Sequence, residues 1–95
     1  MASEKIFENK IKKVLKNNNA WSIKYWAGAM FTKSGIPDLL ICANGYFTAI
    51  EVKAETGTPS ELQKYNLREI RKAGGFGYVV RPQNFEDLKK LLESI

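Results

Sequence analysis

Histidine is absent from the 95 residues, and cysteine occurs once. Without His there is no Ser-His or Cys-His nucleophile and no His-ligated metal. A single Cys permits neither an internal disulfide nor a Cys-clustered zinc site. No apolar run approaches the ~20 residues that span a bilayer, and the polar start Met-Ala-Ser-Glu-Lys is not a secretory signal. The expectation is a soluble protein of the intracellular, cytoplasmic compartment. Any catalysis falls to carboxylates, Lys, hydroxyls or a carboxylate-bound metal. The length suits one domain over residues 1–95.

What is plentiful is Lys, and it is unevenly placed. The chain carries 15 Lys+Arg against 10 Asp+Glu, a net charge of +5. Residues 1–33 hold seven Lys and two Glu, whereas residues 34–95 balance eight basic against eight acidic side chains. All the excess positive charge therefore lies in the first third, either as a solvated helix face or as a patch for phosphates.

Ser3 can cap a helix whose apolar residues Ile6, Phe7, Ile11, Val14 and Leu15 recur at helical spacing up to the run Asn17-Asn18-Asn19. Residues 21–26 are aromatic and β-branched and read as a strand. Residues 39–43 and 46–53 are two further strands, and the intervening Asn44-Gly45 predicts a type I′ hairpin. Thr58-Pro59-Ser60-Glu61 offers Thr as N-cap, Pro at the first helical position and Glu at the third. Leu62, Tyr65, Ile70 and Ala73 would be the buried stripe of that helix, and Gly74-Gly75 its stop. A strand over 76–81 and a helix capped by Asn84, with Phe85, Leu88, Leu91, Leu92 and Ile95 inward, complete an α-β-β-β-α-β-α order. Cys42, between Leu40 and Phe47 on an apolar face, reads as a small core residue.

A two-residue hairpin loop fixes the cross-strand partners: Ala43 with Tyr46, and so on to Leu39 with Ile50 and Asp38 with Glu51. Directly opposed side chains have Cβ atoms ~4.5–5.5 Å apart, and two like charges there repel. A divalent cation offsets that repulsion, because Mg²⁺ and Mn²⁺ take hard oxygen ligands from one or two carboxylates plus water and substrate phosphate. Strand alternation puts Lys53 on the face of Glu51. There Lys53 can orient a water or stabilise charge on a scissile phosphate. Taken singly, Asp38 is better read as the end of a strand after Pro37, and Glu51 and Lys53 as the polar face of a half-exposed strand. Their convergence beside covered apolar runs favours a site.

Gly35-Ile36-Pro37-Asp38, a hairpin, then Glu51-Val52-Lys53 resembles the PD-(D/E)XK nuclease superfamily, and within it the virus-type replication-repair nuclease (VRR-NUC) domain, similar to Holliday-junction resolvases. The resemblance extends to residues 57–63 and to Ala73-Gly74-Gly75 before Tyr78-Val79-Val80. It implies an α/β fold with a restriction-endonuclease-like αβββαβ core, a mixed sheet flanked by helices, and a C-terminal helix. It further implies Asp38 and Glu51 as ligands of Mg²⁺ or Mn²⁺, the Val52 carbonyl as another, Lys53 as the catalytic lysine and Gln63 at the border of the site. The acid expected from the first helix is Glu8 or Glu4; counting back from Leu15 favours Glu8, and a Glu8–Lys12 pair is its structural alternative.

Lys24, Lys33 and Ser34 are candidates for phosphate contacts, and Trp21, Tyr25 and Trp26 for base stacking, with solvation and core packing as the alternatives. The implied activity is a metal-dependent endonuclease acting on branched or structured DNA, in phage or prophage recombination and repair. The alternative is a non-cleaving nucleic-acid-binding module of the same fold. The resemblance also implies a homodimer, for which Trp26, Met30 and Phe31 are candidate contacts.

Overall fold

The computed structural model describes residues 4–26 and 33–95. Helix α1 (Glu4–Asn17) leads to strands β1 (Trp21–Lys24), β2 (Leu39–Ala43) and β3 (Tyr46–Val52). Helix α2 (Glu61–Lys72), strand β4 (Phe76–Val80), a 3-10 turn (Pro82–Asn84) and helix α3 (Phe85–Ser94) follow. The chain is thus the expected α/β fold. Its four strands form one mixed sheet in the order β1-β2-β3-β4, antiparallel except for the parallel β3–β4 pair. Ser3, Met30 and Phe31, expected as a cap and as interface residues, lie outside the described residues. No helix among the described residues is long and apolar enough to cross a membrane.

The hairpin register is the predicted one, from Ala43↔Tyr46 to Leu39↔Ile50. Its cause is local: Asn44 (φ 51°) and Gly45 (φ 85°) both adopt the left-handed conformation that a type I′ turn demands. Alternation then splits the sheet into two faces. Leu39, Ile41, Ala43, Ile50, Val52 and Val80 form the floor of the core, covered by Phe7, Ile11 and Leu15 of α1 and by Phe85, Leu88 and Leu92 of α3. Phe7 meets Phe85 edge-on, with ring centroids 5.8 Å apart. Helix α2 covers the other face, over β3 and β4.

Helix α1 ends as the Asn run suggests. Asn19 takes φ 58°, Ala20 N–H bonds the Leu15 carbonyl and Asn19 N–H that of Lys16, which together make a Schellman motif. Ile6, however, faces solvent, and Glu8 is buried in its stead. At about 100° per residue, Ile6 lies far round the helix from the Phe7–Ile11–Leu15 stripe, while Glu8 borders it.

Four other expectations are corrected. Helix α2 starts two residues later than the Thr58 cap would place it. Ser60 is the N-cap: its Oγ accepts the Gln63 N–H at 3.1 Å, and Gln63 Oε1 accepts the Ser60 N–H at 2.8 Å. Pro59 is therefore buried just outside the helix. Second, Leu62, Tyr65 and Ala73 are exposed, and the inward side carries Gln63, Asn66, Leu67 and Ile70. The helix lies so close to the sheet that a Cβ on Gly77 would come within 3.0 Å of the Leu67 carbonyl, and it turns its small contact area there. Third, Cys42 is exposed, because Leu40 and Cys42 point to the face that α2 covers only over β3 and β4. Fourth, Asn84 occupies the N-cap position of α3 but turns back, accepting the Arg81 N–H and donating to the Val79 carbonyl. The first, third and last strands also stop at Lys24, Val52 and Val80, short of the predicted Trp26, Lys53 and Arg81.

A Cβ on Gly45 would meet nothing within 4 Å, so its substitution isolates the backbone requirement of the turn. Gly45→Ala is expected to cost about 1 kcal/mol, as a left-handed non-glycine residue does, with an unchanged m-value in urea unfolding. A loss near zero would detach the register from the turn.

Candidate active site

The strand directions bring five candidate positions to one end of the sheet. β1 and β3 finish there and β2 begins there, while α1 and α2 each start there. Glu8, Lys24, Asp38, the Glu51–Lys53 segment and Gln63 thus occupy a common rim, on two sides of it.

On the α2 side, Asp38 lies one residue beyond the last ladder pair, Leu39↔Ile50. Carried two residues further, the register would bring Pro37 opposite Val52. Instead the Asp38 carboxylate bends over, and its Oδ2 accepts the Val52 N–H at 2.9 Å, so a side chain continues the ladder where the main chain leaves it. The Val52 carbonyl faces the same side of its strand as that N–H. Asp38 is fixed from the other flank too, because its own carbonyl accepts the Tyr25 N–H at 2.8 Å.

Glu51 is 1% exposed. Its Oε2 accepts from Gln63 Nε2 at 2.9 Å and lies 3.4 Å from Lys53 Nζ. Its Oε1 is buried without a hydrogen-bond partner among the described residues. Burial, then the charge of Asp38, push the Glu51 pKa up from 4.5 to about 7, against the pull of Lys53. Gln63 has no freedom in this. The capping box holds its Oε1 on Ser60, which leaves its NH₂ to face Glu51. Asn66, one turn further along α2, donates to the Gly35 carbonyl at 2.8 Å and ties the Gly-Ile-Pro-Asp segment to the same helix.

On the α1 side the arrangement is different. Glu8, buried at 3%, lies 3.1 Å from Lys12 Nζ and 3.6 Å from Lys5 Nζ, and it accepts a short hydrogen bond from Lys24. Burial alone would raise its pKa, but Lys24 and Lys12 outweigh burial and hold it below 4.5. Lys24 also covers the Trp26 ring at 4.9 Å.

The structure therefore gathers Asp38, Glu51, Val52, Lys53 and Gln63, and it sets Glu8 and Lys24 apart in an ion-pair cluster. Glu4 is exposed. Lys33 and Ser34 are exposed on the loop before Asp38, where Lys33 N–H bonds the Tyr25 hydroxyl at 2.8 Å. Trp21 and Trp26 are exposed, not core. Sequence reasoning missed Ser60 and Asn66. Each is signalled only by its offset of three residues from Gln63, which puts all three at one end of a helix whose start had been placed two residues early.

Asp38 and Glu51 offer hard oxygen donors, and the unpartnered Glu51 Oε1 fits a small divalent cation completed by water and phosphate. Among the described residues no three Asp, Glu, Cys or His side chains form a metal-holding group. Comparison with known protein families finds no match, and no curated protein matches the sequence.

A raised carboxylate pKa destabilises the fold once the group ionises. The Glu51 contribution is fully present below pH 4.5 and is lost as pH rises to about 7. The metal-free protein is expected to lose melting temperature over that window, and Glu51→Gln to flatten the loss. Parallel curves for the two proteins would show that Glu51 is ionised throughout.

Proposed function

We propose that this chain is a Mg²⁺- or Mn²⁺-dependent endonuclease that hydrolyses phosphodiester bonds in branched or structured DNA. The observation that carries the reading is Glu51: a buried carboxylate with one free oxygen, beside a second carboxylate and an ammonium group. Buried like charges are costly unless a cation joins them. The resemblance to VRR-NUC nucleases supports the same reading and assigns Asp38, Glu51, Val52, Lys53 and Gln63 the same roles, but it also expects Glu8 as a ligand, and Glu8 is held by Lys5, Lys12 and Lys24 instead. Asp38, Glu51 and the Val52 carbonyl would hold the cation, which supplies electrostatic stabilisation of the phosphorane-like charge and a more acidic water.

The protein's own groups do the rest. Asp38 is held through one oxygen by the Val52 N–H, and its other oxygen would ligate the cation. Gln63 keeps Glu51 in one rotamer through the capping box. Lys53, 3.4 Å from Glu51, can donate to the attacking water or to a non-bridging phosphate oxygen. Excess positive charge on the α1 side, where three lysines surround one Glu8, attracts the phosphate backbone.

The test is cleavage of duplex, flap, splayed-arm and four-way-junction DNA with Mg²⁺, with Mn²⁺ and with chelator. Lys53→Ala is expected to lower the rate by about 100-fold or more while metal affinity stays near wild type. Asp38→Asn and Glu51→Gln should each weaken metal binding by calorimetry. Binding of DNA with steep salt dependence but no metal-dependent nicking would instead identify a non-cleaving binding module.

Gln63 separates support from chemistry. Gln63→Glu keeps an acceptor for the Ser60 N–H but replaces the donor to Glu51 with a like charge, whereas Gln63→Ala loses both. Nicking should fall in both variants, with Gln63→Ala also losing about 1 kcal/mol of stability from the cap. Full activity in Gln63→Glu would remove the contact to Glu51 from the mechanism.

A further inference from the structure

Three aromatic side chains form a row on the α1–α3 face of the sheet. Tyr46 alternates with Thr48, Ile50 and Val52 on β3, and Phe76 and Tyr78 with Val80 on β4, so all three share the face of the core. The ring centroids of Tyr46 and Phe76 are 5.6 Å apart. Those of Phe76 and Tyr78 are 6.4 Å apart, with their planes only 23° from parallel. Tyr46 is 48% exposed and Tyr78 41%. Where the row meets α3 it opens into a cavity of about 240 Å³, lined by Tyr78, Val80, Asn84, Asp87, Leu88 and Leu91.

Apart from one charge, the lining is apolar or already engaged. Asn84 serves the main chain, accepting the Arg81 N–H and donating to the Val79 carbonyl. Lys89 lies two residues beyond Asp87 and so about 200° round the helix, where it pairs with Glu86 and covers the Phe85 ring. Asp87 is therefore the charged group of the lining among the described residues. A carboxylate accepts hydrogen bonds and donates none, and the face of an aromatic ring is negative, so Asp87 and Tyr78 both select a cation. The cavity is smaller than the ~300–1,000 Å³ of pockets for cofactors and drug-sized ligands, and its size suits a single side chain.

We infer that this groove docks an extended segment of a partner protein through an arginine side chain. The methylene stem packs on Val80, Leu88 and Leu91, and the planar guanidinium stacks on Tyr78 while its N–H groups fork onto the Asp87 carboxylate. An ammonium group, compact and strongly hydrated, would use the ring and the carboxylate less well. The row of rings then seats the residues beside the arginine. A polyproline II chain repeats every ~9 Å, about the length of the row, so a proline three residues from the arginine lies over Phe76 and Tyr46.

The segment does not add to the sheet as a strand. Lys53 N–H bonds the Val80 carbonyl, so in the parallel β3–β4 ladder Gly77 and Val79 turn their main-chain groups outward, and Arg71 and Asn84 occupy those two carbonyls. A polyproline II backbone needs no such partners. Nucleic acid fits less well, because base-stacking platforms lie in positive grooves and Asp87 would repel a phosphate chain. The inference does not rest on the nuclease reading, since no residue of the groove belongs to the Asp38–Glu51 site.

The test titrates the full isotope-labelled chain with the capped peptide acetyl-Arg-Ala-Ala-Pro-amide and with its reverse, acetyl-Pro-Ala-Ala-Arg-amide, and follows the backbone amide resonances. At least one peptide is expected to shift Phe76, Tyr78, Asp87 and Leu91 saturably and to leave β1 unmoved. Asp87→Asn and Tyr78→Leu, each with the circular dichroism of the parent, should weaken binding about 10-fold or more. Citrulline in place of the arginine, which keeps the shape and removes the charge, should do the same without any change to the protein. Absence of a saturable shift with both peptides overturns the inference. So does a citrulline peptide that binds as tightly as the arginine one, or undiminished affinity in Asp87→Asn. Oligothymidylate that moves the same amides equally in the parent and in Asp87→Asn would make the groove a base-stacking surface and overturn it as well. No readout uses cleavage, so an inactive protein that binds the peptide would sink the nuclease reading alone, and an active one that does not bind it the groove alone.

Discussion

The register of the β2–β3 hairpin is the constraint on which both halves of the molecule depend. Two left-handed residues, Asn44 and Gly45, set Ala43 against Tyr46, and every later pair follows. Because side chains alternate, a slip of one residue would exchange the faces of a strand. Either Leu39 and Ile41 or Ile50 and Val52 would leave the α1–α3 core, and Asp38 and Glu51 would no longer lie side by side. The cost of displacing two buried aliphatic side chains, each worth ~1.5–3 kcal/mol, outweighs the repulsion of two opposed carboxylates. The core therefore imposes the carboxylate pair on the far face. That is how a chain of this size can hold a destabilising arrangement at one end.

Helix α2 turns this pair into a shaped site. Its inward side is largely polar, because it faces the rim and the Gly35 loop as well as the sheet. Gln63 reaches Glu51, Asn66 holds the Gly35 carbonyl, and only Leu67 and Ile70 pack as a core helix would. Glycines at 75 and 77 let it settle on β3 and β4 with few apolar contacts. The capping box therefore has two consequences from one side chain: it starts the helix, and it spends the acceptor of Gln63 so that the donor must point at the carboxylate.

The element order, the hairpin and the Asp38–Glu51–Lys53 convergence were legible in the sequence because each follows from a local rule: helical spacing, the Asn-Gly turn, strand alternation. What was not legible depends on how elements meet. The stripe expected for α2 counted apolar residues, whereas the real inward face is selected by what lies opposite, namely Gly77, the Gly35 carbonyl and Glu51. Cys42 looked interior because its neighbours are apolar, yet the face it lies on is only half covered. The start of α2 was misread because Thr58-Pro59 and Ser60-Gln63 are both sound capping signals. The reciprocal hydrogen bonds of the second decided between them.

Glu8 and Glu51 show how neighbours, not residue type, set what a carboxylate can do. Both are buried glutamates at the same end of the sheet. Glu8 has three lysines around it and a pKa held below the ordinary value, so its charge is already neutralised by the protein itself. Glu51 has one lysine, one opposing carboxylate and an oxygen with no partner, and its pKa is pushed up to about 7. Glu8 Oε2 also lacks a hydrogen-bond partner among the described residues, but for Glu8 to bind a cation it would have to displace the ammonium groups that neutralise its charge, whereas a cation at Glu51 would relieve a repulsion. The same counting applies to protons. With its pKa raised to about 7, Glu51 holds a proton more tightly than an ordinary carboxylate, so a cation there would compete with protons and bind more weakly as pH falls. The buried carboxylate that the protein leaves uncompensated is therefore on the α2 side of the rim, while on the α1 side three ammonium groups outnumber the one acid they surround.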